Sequence, residues 1–304
     1  MRCAVTGGSG FIGSHVVDQL KGAGHEVVVI DCGVQPHCQD VEFFDVDVVD
    51  YAALREATKG CDYVFHLAAV SNVNHAFEDP LRCVAVNIQG TANALEAARQ
   101  NKAERLVLAS TVWVYTGAPG HDVAEDSPFY LSGAGHIYTS SKIADEMMCH
   151  DYGRLYDLPF TILRYGIPYG PRMREALVIP VFLKKAFGGE PITITGDGSQ
   201  YRNFVYVEDL ARAHLLVMDG RAEKETYNLE GMRKVTIREI AETIDGLLGG
   251  HVKIEYLPAR PGDYGGKEVS ADKARRELGW EPAVDFEDGM KRTLSWFRAQ
   301  WGFE

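Results

Sequence analysis

Tyr138 and Lys142 are the residues of this chain whose types and spacing could do acid–base chemistry. Of fourteen tyrosines, only Tyr138 is followed by a lysine four positions on. On a helix, residues at i and i+4 share one face. A phenol titrates near 10 and is a poor base at neutral pH. A lysine ammonium beside it favours the phenolate and lowers that value. Such a pair could take a proton from a hydroxyl group. A second chemical feature is the run Thr6-Gly7-Gly8-Ser9-Gly10-Phe11-Ile12-Gly13. It follows a short apolar segment and opens a helical pattern. Gly7 allows a tight turn, Gly10 lets a pyrophosphate approach the backbone, and Gly13 lets helix and strand pack closely. The pyrophosphate would meet free N–H groups and the positive end of the helix dipole. Asp31 closes the next strand, where a carboxylate accepts from the adenosine ribose hydroxyls. Cys32, Gly33 and Val34 come after it with no Arg or Lys, which favours NAD over NADP.

These groups need a scaffold. Cys3–Thr6, Val27–Asp31, Val41–Phe44, Tyr63–Leu67, Leu106–Ser110 and Phe160–Arg164 read as short strands. Helical patterns lie between them at Ile12–Gly22, Tyr51–Thr58, Leu81–Gln100 and Ser140–Leu155. This alternation predicts an α/β fold, a Rossmann-type doubly wound parallel sheet with right-handed crossovers. After Arg164 the rhythm breaks. Gly166, Pro168, Gly170, Pro171, Pro180, Gly188, Gly189 and Pro191 crowd the chain. We therefore expect a dinucleotide-binding domain over 1–165. A smaller C-terminal α/β substrate-binding domain is expected over 166–304, with some of its segments packing back on the first. Ligands of such sheets bind beyond the carboxyl ends of the strands, so a cleft between the halves is the expected site.

The bulk properties narrow the function classes. With 304 residues and 46% apolar residues the chain can bury a large core. A net charge of −12 argues against a nucleic-acid partner. No apolar run approaches the roughly 18 residues of a membrane span, and no secretory pattern opens the chain. A cytoplasmic enzyme is the expectation. Cys3, Cys32, Cys38, Cys61, Cys83 and Cys149 form no C-x-x-C pair and read mainly as small buried hydrophobes. Cys32, His37 and Cys38 lack zinc spacing, so no metal site is expected.

Several further motifs occur in order along nearly the whole chain. They are Asp47-Val48, His66-Leu67-Ala68-Ala69, Asn87-Ile88-Gln89-Gly90-Thr91, Ser110-Thr111-x-x-Val114-Tyr115, Leu163-Arg164-Tyr165, Tyr169-Gly170-Pro171-Arg172, Arg202-Asn203-Phe204-Val205-Tyr206-Val207-x-Asp209 and Arg260-Pro261-Gly262-Asp263. With the glycine turn and the Tyr–Lys pair, the chain resembles the extended short-chain dehydrogenases/reductases, specifically their NAD-dependent sugar-nucleotide epimerase/dehydratase group. The resemblance implies a cofactor site made of Gly7, Gly10, Phe11, Ile12, Gly13, Asp31, Asp47, Val48, Leu67, Ala68, Ala69, Asn87, Ser110, Tyr138, Lys142, Tyr165 and Ile167. In it Lys142 would also hold the nicotinamide ribose. It implies a catalytic set of Thr111, Tyr138 and Lys142, with Thr111 bonding the same sugar oxygen as Tyr138. It further implies substrate contacts from Ser71, Thr111, Arg174, Val178, Arg202, Arg260 and Asp263. Ile167 and Leu177 stand where the family often has Asn, and Thr116 where it usually has Gly.

Members of the family share oxidation at the sugar C4 and differ in the fate of the resulting ketone. Dehydratases place an Asp-Glu pair after the catalytic Thr, and decarboxylases usually place a Glu at the second of these positions. Here Val112 and Trp113 stand there, and neither can transfer a proton. Reductases and 3,5-epimerases need an added acid or base, for which His136 and Cys149 are weak candidates. By elimination the sequence favours 4-epimerisation of a UDP-glucose/UDP-galactose type of substrate, through a transient 4-keto sugar. A decarboxylase, dehydratase or 4-keto reductase of the same fold is the alternative, and a dinucleotide-sensing protein without catalysis a remote one. Arg202 and Arg260 suit the diphosphate, because guanidinium matches phosphate oxygens in pairs. Arg172 or Arg174 could meet a uronate carboxylate, which would make the substrate a UDP-glucuronate type. A homodimer is implied by resemblance, through Leu81–Gln100 and Ser140–Leu155.

Overall fold

The computed structural model describes residues 1–120, 122–258 and 267–303. In chain order the first elements are β1 (Arg2–Thr6), α1 (Phe11–Gly22), β2 (Glu26–Asp31), β3 (Glu42–Asp45), α2 (Tyr51–Ala57) and β4 (Tyr63–His66). Then come α3 (Val73–Glu78), α4 (Pro80–Val84), a π-helical turn (Ala85–Gln89), α5 (Gly90–Gln100), β5 (Arg105–Thr111), β6 (Asp122–Val123), α6 (Ile137–Leu155) and β7 (Phe160–Tyr165). The rest holds β8 (Ile167–Tyr169), α7 (Val178–Phe187), β9 (Ile192–Thr195), β10 (Tyr201–Tyr206), α8 (Val207–Leu216), β11 (Glu225–Leu229) and β12 (Lys234–Thr236). It ends with α9 (Ile237–Leu247), β13 (Ile254–Leu257), β14 (Glu268–Val269), α10 (Asp272–Leu278) and α11 (Phe286–Trp301).

Seven strands form one sheet in the order β3-β2-β1-β4-β5-β7-β11. Every pair in it is parallel. The strands read as near-continuous apolar runs, as a sheet covered on both faces requires. Val27–Ile30, Tyr63–Phe65 and Leu106–Leu108 are all buried. The chain leaves β1 toward β2 on one side and returns to β4 on the other. The strand order therefore reverses at the carboxyl end of β1, where the glycine turn sits.

The six strands expected from sequence are present, with ends displaced by one residue. The seventh, β11, comes from the half whose pattern is mixed. Its pairing with β7 spans some sixty residues of chain, and five residues carry too little period to announce it. The chain accordingly divides into two compact units. The first comprises Met1–Tyr165, Ala211–Leu229 and Val269–Trp280; the second comprises Gly166–Leu210, Glu230–Glu268 and Glu281–Glu304. Two helices also differ from expectation. The helix expected over Leu81–Gln100 starts at Pro80, capped by Asp79, and is interrupted by the π-helical turn. The one expected over Ser140–Leu155 starts at Ile137, after an extended His136.

Within the first unit, α6 is fixed to the sheet by a buried ion pair. Arg164 on β7 meets Glu146 on α6 at 2.7 Å, with side chains 5% and 1% exposed. Arg164 Nε donates to Glu146 Oε1 at 3.0 Å, and the Ser110 hydroxyl on β5 donates to the same oxygen. Arg164 Nη1 donates to Tyr115 Oη and to the Glu125 carbonyl at 3.1 Å. Tyr115 in turn donates to Asn228 of β11 at 2.9 Å. Burial pushes the Tyr115 phenol up to about 12, so it stays a donor. Removing one partner of a buried pair leaves an uncompensated charge, which costs about 3 kcal/mol. Glu146→Ala is expected to lose that much in chemical denaturation. Replacement of both partners, Glu146→Leu with Arg164→Met, should recover most of it; an equal or larger loss in the double variant would show that the pair is not what anchors α6.

Candidate active site

The glycine turn is shaped by close contacts that only glycine permits. Gly7 has φ of +70°, and its N–H donates to the Ile30 carbonyl at 2.8 Å. A Cβ on Gly7 would lie 2.8 Å from the Ala68 nitrogen. A Cβ on Gly13 would lie 2.1 Å from the Gly7 carbonyl oxygen. The first turn of α1 is thus pressed against the end of β1, and the turn after β1 against the end of β4. Gly10 is the N-cap and supplies no side chain to cap the helix. The N–H groups of Phe11, Ile12 and Gly13 belong to the set that an α-helix cannot pair internally. That is an anion-binding arrangement. Asp31, at the end of β2, accepts from Ser9 N and Cys32 N, both at 2.9 Å. Its carboxyl is raised by burial, with these two bonds pulling it back.

The other expected cofactor residues line the same sheet end. Leu67 N donates to the Thr6 carbonyl at 3.1 Å, and Ala68 N to the Thr6 hydroxyl at 3.3 Å. Ala69 is next, half-buried, and Ser71 lies exposed before α3. Val48 is buried, while Asp47 is half-buried and pairs with Arg82 at 2.7 Å. Asn87 lies in the π-helical turn, a motif often found at functional sites. Its amide accepts from Val70 N at 2.7 Å and donates to Ser141 Oγ at 2.8 Å. Ser141 in turn donates to the Tyr138 carbonyl at 2.8 Å. Asn87 therefore fixes the loop after β4 and the first turns of α6 to one another. His66, the last residue of β4, is fully buried, with Nδ1 2.8 Å from the Thr6 hydroxyl and Nε2 3.1 Å from that of Thr91. Burial, with the Lys142 charge adding to it, drops its pKa to about 3, so the ring is neutral at ordinary pH.

The expected catalytic residues stand at the end of β5 and the start of α6. Thr111 is the last residue of β5; its hydroxyl accepts from Trp113 N at 3.2 Å and caps a short 3₁₀ turn over Val112–Tyr115. The Trp113 ring lies 5.2 Å from that of His136, tilted by 52°. His136 Nδ1 is 2.8 Å from the Thr139 hydroxyl, and burial lowers its pKa. Tyr138 is half-buried in the first turn of α6. Lys142, one turn on, is 3% exposed and lies 3.1 Å from Asp145, which is fully buried. Burial alone would lower the lysine pKa, but Asp145 and Tyr138 outweigh it and hold Lys142 above its ordinary value. Ser110 is committed to Glu146, and the Tyr165 hydroxyl lies 2.7 Å from His214 Nε2.

The second unit holds the remaining residues. Ile167 on β8 pairs with Phe204 of β10, and Arg202 on β10 faces Val235 of β12. Arg202 Nη1 donates to the Tyr201 carbonyl at 2.6 Å. Arg172 has a φ of +65° in the turn after β8, Arg174 is exposed two residues on, and Val178 opens α7. Arg260 and Asp263 lie outside the described residues. Sequence reasoning missed Asp145 and Glu146. Their signal was present: two acids at i+3 and i+4 from Lys142 stack on the face that carries it.

The residues at the sheet end fit a dinucleotide, on the evidence of the two glycine contacts and the uncapped helix start. Comparison with known proteins agrees with that fit. The model of the NAD dependent epimerase/dehydratase family matches residues 3–229. A UDP-N-acetyl-alpha-D-glucosaminuronate decarboxylase of Bacillus cytotoxicus is 32% identical over 98% of both chains. A UDP-glucuronate 4-epimerase of Thermodesulfobacterium geofontis is 32% identical over 96% of this chain and 94% of its own. The crystal structure of UDP-glucose 4-epimerase with UDP-glucose from Thermotoga maritima is 32% identical. It superposes with a TM-score of 0.90 over 99% of this chain and all of that one. By the family match over residues 3–229 and by these relatives, this chain belongs to the NAD-dependent epimerase/dehydratase family of nucleotide-sugar enzymes.

Proposed function

We propose that the protein interconverts two nucleotide-activated sugars by epimerisation at C4, with Tyr138 as the base and Thr111 and Lys142 at its side. The observation that carries this reading lies immediately after β5. Val112 and Trp113 take the places where a dehydratase or decarboxylase would have proton-transferring groups, and Trp113 packs on His136. A 4-epimerase needs no group beyond Thr, Tyr and Lys to move protons. Tyr138 takes the proton of the C4 hydroxyl, Thr111 hydrogen-bonds the same oxygen, and the Lys142 charge favours the phenolate. NAD, held by Gly7, Gly10, Phe11, Ile12, Gly13 and Asp31, supplies the hydride acceptor when bound. The 4-keto sugar would turn over and present its other face, where the hydride would return to C4 from the reduced cofactor while Tyr138 returns the proton to the oxygen. Arg202 is assigned to the diphosphate and Arg174 to a carboxylate on the sugar. Two of the relatives act by name on uronic acid sugars, which supports a UDP-glucuronate type of substrate beside UDP-glucose.

The test is incubation with UDP-glucose, UDP-galactose, UDP-glucuronate and UDP-GlcNAc without added reductant, then proton NMR of the products. A second anomeric set of unchanged mass is expected from one of them. Loss of carbon dioxide or water would overturn the argument from Val112 and Trp113. Arg174→Ala is expected to lower kcat/KM for the uronate roughly ten- to a hundredfold, the worth of one charge-assisted contact, and to spare a neutral hexose. Equal losses would remove Arg174 from that role.

We also propose a homodimer. Phe77 on α3 and Leu81 on α4 are 84% and 81% exposed, with Val84 and Met147 of α6 exposed beside them in sequence or packing. Large apolar side chains at such exposure mark an association surface. Sedimentation should give twice the chain mass, and Phe77→Asp with Leu81→Asp should give the chain mass. A monomeric parent protein, or a double variant of unchanged size, would sink it.

A further inference from the structure

Asp145 stands where it can act on the proposed base without touching it. It is fully buried in the third turn of α6, and neither of its carboxylate oxygens has a hydrogen-bond partner in good geometry. Its compensation is the Lys142 ammonium at 3.1 Å. A buried carboxylate is costly unless a charge or donors meet it, so the pair is bound together by the expense of separating it. Lys142 is also the residue whose charge would favour the Tyr138 phenolate.

We propose that Asp145 is the resident counter-ion of Lys142 and a positioning residue that sets the pH range in which Tyr138 can act as the base. This rests on the reading of Tyr138 and Lys142 as the catalytic pair. The negative charge of Asp145 offsets part of the Lys142 charge felt by the phenol. It therefore holds the Tyr138 pKa higher than Lys142 alone would, and it holds the ammonium of Lys142 charged and in place.

Other titratable groups pack around the pair. On α6 these are Tyr138, Glu146 and Cys149; α4 contributes Cys83, β4 contributes His66, and β7 contributes Tyr165 next to Tyr138. Glu146 is bound to Arg164, and His66 is neutral. Burial raises both thiols and the Tyr165 phenol. Burial also raises the Asp145 carboxyl, while the Lys142 charge and the nearby Thr91 hydroxyl pull it back. Of the acids near the pair, Asp145 is thus the one whose charge is balanced by Lys142 itself.

Neutralising Asp145 leaves the Lys142 charge uncompensated, so the phenolate gains and the Tyr138 pKa falls. The lysine loses its anion, so its own pKa falls as well. The experiment compares the parent protein, Asp145→Asn and Asp145→Ser, each loaded with NAD. Tyrosine ionisation is monitored by ultraviolet difference absorbance, and kcat/KM is measured against pH. In both variants the lowest tyrosine step and the acid limb of the profile are expected about one pH unit lower, with the alkaline limb moving the same way. Folded variants with unmoved limbs and an unmoved tyrosine step would overturn the proposal. Tyr138→Phe separates the two readings. If it leaves the lowest step in place, Tyr138 as base is what fails; if it removes a step that Asp145→Asn does not move, the counter-ion role alone fails. Thermal melting supplies a readout that needs no activity. Lys142→Met with Asp145→Asn should melt higher than either single variant, because each single change strands one buried group. A double variant no more stable than the singles would equally overturn the pairing.

Discussion

The buried ion pair between Glu146 and Arg164 is the constraint on which the site depends. It joins α6 to β7, the strand next to one edge of the parallel sheet, and through Ser110 and Tyr115 it reaches β5 and β11. An ion pair removed from water is held to one geometry, because any displacement strands charge in a poor solvent. That rigidity passes to the start of the same helix. Tyr138 and Lys142 sit two turns and one turn before Glu146, on a helix whose first turns Asn87 also grips through Ser141. The helix that carries Tyr138 and Lys142 is thus fixed at its first turns and at its middle by buried polar contacts.

The sheet does the complementary work. In a parallel sheet all strands end on one side, so Gly7, Asp31, Leu67, Ala68 and Thr111 emerge at one edge although they are spread over a hundred residues. The reversal of strand order at β1 opens the space in which the glycine turn can hold a pyrophosphate. The Thr6–His66–Thr91 chain closes that edge beneath the loops with a neutral imidazole, which can both donate and accept. A charged ring there would sit close to Lys142 and oppose it. Burial keeps the histidine neutral and leaves Lys142 as the local positive charge.

The membership of a nucleotide-sugar family and the chemistry within it rest on different kinds of observation. The first rests on a scaffold shared over the full chain, including enzymes that decarboxylate and enzymes that epimerise. The second rests on a few side chains at the end of β5. A shared fold sets where ligands can bind, while the side chains of the site decide the chemistry.

By itself the sequence determined the parallel sheet through β7, the glycine turn and the Tyr138–Lys142 pair. Each of these is local: a strand-to-helix alternation, glycines at fixed offsets, and an i, i+4 spacing. Asp31 was legible for the same reason, as the acid closing the second strand. Only the tertiary structure decided the long-range facts. It brought β11 back to pair with β7, set Asn87 between Val70 and Ser141, and gave Arg164 to Glu146. It also buried Asp145 against Lys142, which the acids at i+3 and i+4 hinted at without saying which would face which base. Periodicity tells which face of an element is apolar. Which polar groups are then sealed together depends on the elements packed over that face, and these come from distant parts of the chain.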